Sequence, residues 1–363
     1  MAEIKIPLPT NEQIEKIVKR TGAKYPKTTL KWERPGQTVV GYLTKSYDGN
    51  MYGFRADRFI KSEDSGVTRN ATDYFLLDVA TYGYPQYSVV FPNGELVIVT
   101  NKSSIKSYVL KTTNFEVHPT VVKEIDNFVS TLSCSSWSNG LDNYLLVGEY
   151  NQVKGSINKL WFSSDTATTF SNIKDTVVTN ALKNSHWHTA QFDPYSGSII
   201  AVQGDFENAR IFMSYDMGVT WKLITSSFQP TAIVPMPNYI FFGNDEAWLK
   251  PGLTKIERPL LTSDYENIEL KEAYSFQVDY TAPDFYPQEY IINQGLEAYI
   301  FFGNYSSQST KINYILATGD GGISWHIVAC GKTKISQLIG PDKNGYIFGI
   351  NGGLVRSKKI EWE

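Results

Sequence analysis

Apolar and polar residues alternate in short runs along most of this chain, and the runs are rich in Val, Ile, Tyr and Phe. A period of two is that of a strand with one buried face, and it does not fit the 3.6-residue turn of a helix. Two signals recur in a fixed order. The first is an apolar run closed by glycine, as in Leu146-Val-Gly148, Val202-Gln-Gly204, Phe241-Phe-Gly243, Phe301-Phe-Gly303 and Ile347-Phe-Gly349. Each reads as the end of a strand and the start of a loop. The second is an apolar run followed by a polar turn and an aromatic. Ile211-Phe-Met-Ser-Tyr-Asp216-Met-Gly218-Val-Thr220-Trp221 and Ile315-Leu-Ala-Thr-Gly-Asp320-Gly-Gly322-Ile-Ser324-Trp325 share this pattern without a gap. The stretches from Leu160 through Asp165 to Phe170 and from Phe59 through Asp64 to Thr68 are looser copies, and weaker ones lie at Tyr108 to Phe115, Ala247 to Ile256 and Leu354 to Trp362. The turns then fall near positions 64, 114, 165, 216, 251, 320 and 358, with the first three gaps close to 50 residues. Repetition of this kind predicts an all-β fold over residues 36–363, with seven four-stranded blades around a central channel: a seven-bladed β-propeller.

Residues 1–35 depart from the pattern. Thr10 and Gln13 make a capping box, Ile14, Ile17 and Val18 form one apolar stripe, and Gly22 closes the segment, so a short N-terminal helix is expected. A helix of about three turns is marginal alone in water, and its stripe must dock on something. The expected partner is the propeller itself, with Leu30-Lys-Trp32-Glu33 adding a strand that helps close the ring. Docking on another chain would make the extension a route to assembly or to a homo-oligomer.

The spacing S/T-x-D-x-G-x-S/T-W around Asp216 and Asp320 resembles the Asp-box (BNR) hairpin of the sialidase-like β-propellers. In such a hairpin the carboxylate and the hydroxyl satisfy the turn's own N–H groups, glycine takes the positive φ and the aromatic packs between sheets. The resemblance makes Asp64, Asp165, Asp216, Gly218, Thr220, Trp221, Asp320, Gly322, Ser324 and Trp325 structural residues. It also implies that the boxes join third to fourth strands on one rim, leaving the opposite rim for ligands. That opposite rim would carry Glu149 to Asn158, the stretch around His186, Asp205 to Arg210, Asn244 to Glu246, Asn304 to Asn313 and a long insertion from Thr262 to Tyr290.

Charge narrows the partners. The 363 residues hold 34 Lys and Arg against 37 Asp and Glu with no basic block, which argues against nucleic acid. No window approaches the roughly 18 apolar residues of a membrane span, so no membrane insertion is expected. The start of the chain lacks the apolar stretch of a signal peptide, which points to the cytoplasm or, for a phage-derived chain, to the virion. Cys134 and Cys330 are too few for a disulfide framework, and no cofactor is expected.

Sialidases need three Arg on the substrate carboxylate and carry an Arg-Ile-Pro signature. This chain has no such signature, and of its eight Arg three (Arg20, Arg34, Arg356) lie in the extension or the last hairpin. Xyloglucanase-like members of the superfamily use two Asp across a cleft between two propellers, and one propeller offers no second wall. Glu149, Asp205 and Asp245 nevertheless occupy equivalent places on adjacent blades, where two carboxylates could flank a glycosidic bond, and glycoside hydrolysis is the alternative activity. His186-Trp187-His188 puts both imidazoles on one face of a strand. With only His118 and His326 besides, a third zinc ligand would have to be a carboxylate such as Asp205, and the sequence alone assigns no metal. Tyr150, Phe206 and Tyr305 follow strand-ending glycines among polar neighbours, which suits a sugar face or a protein surface. The expected ligand site is therefore Glu149, Tyr150, Asp205, Phe206, Asp245 and Tyr305, with His186 and His188 at its edge. In style and architecture the chain resembles bacteriophage tail and receptor-binding propellers. That implies a non-enzymatic virion component that binds a cell-surface glycan or a neighbouring structural protein.

Overall fold

In a computed structural model the alternating runs become antiparallel strands. The structure describes residues 23–35, 40–67, 72–179, 185–205, 208–226, 228–244, 252–258, 270–275, 285–293, 295–304, 313–331 and 335–363. Strands β1 (Tyr42–Ser46), β2 (Met51–Arg55), β3 (Arg58–Ser62) and β4 (Thr72–Leu76) lie side by side in chain order. So do β5 (Tyr84–Val90), β6 (Leu96–Ser103), β7 (Lys106–Thr112) and β8 (Thr120–Ile125). The two quartets share one eight-stranded sheet, joined only where Lys45 and Ser46 pair in parallel with Val89 and Val90.

Four separate four-stranded sheets follow. They comprise β9 (Val129–Ser138), β10 (Asn143–Glu149), β11 (Ile157–Ser163) and β12 (Ser171–Val177); then β13 (Trp187–Phe192), β14 (Ile199–Gln203), β15 (Arg210–Ser214) and β16 (Lys222–Thr225). Next come β17 (Pro230–Pro235), β18 (Tyr239–Asn244), β19 (Gly252–Glu257) and β20 (Lys271–Ser275), and then β21 (Phe285–Asn293), β22 (Glu297–Asn304), β23 (Asn313–Thr318) and β24 (His326–Gly331). A three-stranded sheet ends the order with β25 (Ser336–Ile339), β26 (Tyr346–Ile350) and β27 (Leu354–Lys358). The first strands β1, β5, β9, β13, β17, β21 and β25 pack each on the next, and β25 packs on β1, so the sheets close around an axis. The fold is an all-β propeller. Among the described residues helix is confined to one turn, Val79–Tyr82, and the helix expected before Gly22 lies outside them.

Apolar faces of neighbouring sheets meet to form the core. Tyr144, Leu146 and Leu160 of one sheet bury against Trp187, Phe192 and Ile199 of the next, and Trp137 stacks on Phe192 at 4.5 Å. Each such side chain contributes about 1.5–3 kcal/mol through the area it removes from water. The recurring strand-ending glycine has a packing cause at Gly148, where a Cβ would stand 2.8 Å from the Trp187 Cβ and 2.9 Å from the Ser133 Cβ.

The described N-terminal segment, from residue 23, runs along the end of the chain. Glu33 and Arg356 exchange backbone hydrogen bonds of 2.9 Å, Tyr25 and Glu363 do the same at 3.1 and 3.0 Å, and Leu30 N–H donates to Val328. The Glu33 carboxylate also accepts from Arg356 Nε at 2.8 Å.

Two segments differ from the reading of the sequence. The weak turn expected near 251 precedes β19 and so lies between second and third strands, not third and fourth. Its Trp-Leu-Lys-Pro-Gly run mimics the spacing of the other hairpins without an Asp to organise the turn. The stretch from Thr262 to Tyr290 is not one long loop, because it contains β20 and the first part of β21.

Candidate functional site

Three sequence-distant pieces of chain meet where β10 ends, β13 begins and β14 ends. Trp187 points into the core between two sheets, fully buried, with its indole N–H reaching the Asn158 carbonyl at 3.3 Å. Alternation sends His186 and His188 the other way. A β-bulge between Trp187 and Thr189 leaves His188 as the extra residue, and the two rings lie 4.7 Å apart at 28°. Asp205, two residues past β14, brings its Oδ1 to 2.7 Å from His188 Nε2 and its Oδ2 to 3.8 Å from His186 Nε2. Tyr150, just past β10, covers His186 with ring centroids 3.7 Å apart.

Backbone and amide contacts hold these pieces in register. The Asn158 amide donates to the carbonyls of Asn151 and Ser185, both at 2.9 Å, while its Oδ1 accepts from Asn151 N–H at 2.6 Å. That ties the Tyr150 segment to the His186 segment. Gly204 N–H donates to the His186 carbonyl at 2.8 Å, and Gln229 Nε2 donates to Asp205 Oδ1 at 3.1 Å. Sequence reading named neither Asn158 nor Gln229 as a site residue.

His186 is wholly buried and His188 nearly so. Neither nitrogen of His186, nor Nδ1 of His188, has a hydrogen-bond partner among the described residues. Burial, reinforced by the neighbouring His188 ring and opposed by Asp205, pushes the His186 imidazole down to about 3. It is a neutral base at physiological pH. His186, His188 and Asp205 together offer three ligand atoms within 4.8 Å of one another, the one such group of His, Cys, Asp and Glu among the described residues.

The remaining predicted residues fare differently. Glu149 is buried and committed, its carboxylate accepting from Asn127 Nδ2 at 2.6 Å, Lys159 N–H at 3.0 Å and Trp161 Nε1 at 2.8 Å. It braces two strands and does not join the cluster. Phe206, Asp245 and Tyr305 lie outside the described residues.

At the opposite ends of the strands, the Asp hairpins are self-contained. Asp216 accepts from the Ser214 hydroxyl at 2.9 Å, Thr220 N–H at 2.8 Å and the Thr220 hydroxyl at 2.6 Å, and Ser214 Oγ accepts from Gly218 N–H at 2.7 Å. Gly218 has φ of +90°, and a Cβ there would stand 2.6 Å from Ile173 of the preceding sheet. Asp165 and Asp320 repeat the arrangement with Ser163 and Thr169, and with Thr318 and Ser324. Asp64 accepts from Ser62 and Val67 N–H. Trp221 donates from Nε1 to the Ile173 carbonyl at 3.0 Å, and Trp325 packs edge-on against Phe241 at 5.1 Å.

No family model matches the chain, and no curated protein matches it by sequence. Solved structures do match it in shape. A GH74 enzyme from Niastella koreensis superposes with a TM-score of 0.56 at 14% identity, over 93% of this chain and 55% of that one. A GH74 xyloglucanase from Xanthomonas campestris gives 0.58 at 11% identity, over 92% of this chain and 55% of that one. The chain thus spans about half the length of either glycoside hydrolase. YCF48 from Cyanidioschyzon merolae gives 0.54 at 11% identity, over 91% of this chain and 98% of that one. At such identities the likeness establishes the fold: this chain is a β-propeller.

Proposed function

We propose that the chain is a non-enzymatic recognition propeller of seven blades, counting the eight-stranded sheet as two, whose Asp hairpins are of the Asp-box kind. Its ligand is a cell-surface glycan or a neighbouring structural protein, and its setting is a bacteriophage virion. The observation that carries a binding role is the convergence of Tyr150, His186, His188 and Asp205 from three separate loops or strand ends. Convergence on one spot is what a multi-residue site needs, and mouths of closed β-architectures favour such sites. Tyr150 and Asp205 are the partly exposed members and make the contact, while the two imidazoles set the shape beneath them.

Glycoside hydrolysis is the second reading, favoured by the likeness in fold to the two GH74 enzymes. Against it, the Glu149 carboxylate is occupied by three donors, which leaves Asp205 without that partner for acid–base work. The deciding experiment is a pair of assays. Purified protein should bind whole bacterial cells or cell-wall glycan and lose that binding in the Tyr150→Ala, Phe206→Ala, Tyr305→Ala triple variant at unchanged melting temperature. It should release no reducing ends from xyloglucan. Steady release that vanishes in Asp205→Asn would move the chain to the hydrolases.

A further inference from the structure

We propose that His186, His188 and Asp205 form a binding site for a divalent first-row transition metal, with Zn2+ the ion that suits their donor set best. The geometry is close to assembled. Bonds of about 2.0–2.1 Å on a tetrahedral zinc place ligand atoms about 3.3 Å apart. Here His188 Nε2 and Asp205 Oδ1 stand at 2.7 Å, His186 Nε2 and Asp205 Oδ2 at 3.8 Å, and all three ligand atoms fit within 4.8 Å. Shifts on the order of 1 Å, within reach of side-chain rotation, would seat the ion.

A second observation points the same way. The His186 ring is stripped of water, yet neither of its nitrogens is hydrogen-bonded among the described residues. A buried imidazole without a partner costs stability, and a metal bond at Nε2 supplies the missing partner. The donor set also discriminates. Two imidazole nitrogens and one carboxylate oxygen suit Zn2+ and its neighbours, whereas Ca2+ and Mg2+ take oxygen ligands.

Supporting contacts are of the kind that orient metal ligands. Gln229 Nε2 fixes the Asp205 carboxylate, Gly204 N–H fixes the His186 backbone, and the buried Trp187 between the two histidines holds both rings on one face. Three protein ligands leave a coordination position open to water or to an oxygen of a bound molecule. The inference needs no particular glycan or protein partner and stands apart from the function proposed above.

The test is metal uptake by the full chain. After chelator treatment, calorimetric titration with Zn2+ should show one equivalent bound per chain, and the loaded protein should melt at a higher temperature. Co2+ in place of Zn2+ should give visible ligand-field bands. His188→Ala and Asp205→Asn should each weaken Zn2+ uptake by about tenfold or more. His118→Ala, at an exposed ring elsewhere, should leave it unchanged. Asp205→Asn keeps the side-chain volume and an acceptor for Gln229, so it decides the matter if His188→Ala does not melt cooperatively. Absence of saturable Zn2+ uptake by the wild type, or undiminished uptake by Asp205→Asn, would overturn the proposal.

Discussion

The aspartates at one end of the strands and the histidines at the other are placed in opposite ways. At the hairpin end, every aspartate that organises a turn is matched within a few residues by hydroxyl and N–H donors. At the other end, two imidazoles lie far deeper than the exposed Asp165 and Asp216, and three of their four nitrogens lack a partner among the described residues. Protonation reflects the contrast. Burial alone would raise the Asp216 carboxyl, but hydrogen bonds from the Thr220 hydroxyl, Thr220 N–H and Ser214 hydroxyl outweigh it and hold it below the usual carboxylate range. At His186 the nearby Asp205 carboxylate opposes burial but does not offset it, and burial dominates. A polar group with all its bonds made is a structural part. A buried polar group with bonds unmade lowers stability, and where two such imidazoles converge on a carboxylate, as here with Asp205, the arrangement points to a role in binding.

The largest expected effect is at the hairpin end. Asp320→Ala should cost about 1–3 kcal/mol, because Ser324 N–H, the Ser324 and Thr318 hydroxyls and Lys24 N–H all lose their acceptor. Denaturant melts check this, and ligand binding per folded molecule should be unchanged. Gly148→Ala, with its Cβ pressed against Trp187 and Ser133, should cost a similar amount, about 1–3 kcal/mol. Because Trp187 separates the two histidines, this variant should also disturb the cluster, which His188 ring signals in an NMR spectrum would report.

The repeat was legible because the hairpin end is local. Ser214, Asp216, Gly218 and Thr220 all satisfy one another within seven residues, so their spacing alone carries the geometry. The cluster was legible only in part. Periodicity put His186 and His188 on one face, and Asp205 was one carboxylate that could join them, but the joining depends on contacts between three loops. Gln229 escaped notice and Asn158 stood only at the edge of a rim loop, because an amide in a loop carries no pattern of its own. Glu149 was expected to face a ligand, whereas its carboxylate is taken up by Asn127, Lys159 and Trp161, which come from two other segments.

Acid should sharpen the contrast more gently. The Asp165, Asp216 and Asp320 carboxyls all lie below the usual range, in each case because hydrogen bonds outweigh the raising effect of burial. The unfolded chain therefore takes up protons first, and the stability these groups contribute is present above about pH 3.9 and lost as pH falls through their folded values. Asp216→Asn should flatten that acid limb in melts taken from pH 5 downward, by the standard linkage of proton uptake to stability. The smallest effect is expected at the half-exposed Arg55–Asp73 pair, 2.7 Å apart, where Asp73→Asn should change stability by less than about 0.5 kcal/mol.

The contrast between the two ends rests on the His186 nitrogens, which have no hydrogen-bond partner among the described residues. The most direct measurement is the stability of His186→Phe beside that of Asp216→Ala, by denaturant melts in chelator-containing buffer. Phe fills the ring's place against Tyr150 and His188 and removes two nitrogens that lack a partner among the described residues. It is expected to hold or raise stability, by up to about 1 kcal/mol, while Asp216→Ala lowers it by about 1–3 kcal/mol. A loss in His186→Phe as large as that in Asp216→Ala would mean that the imidazole is a satisfied structural part, and it would contradict the distinction between the two ends.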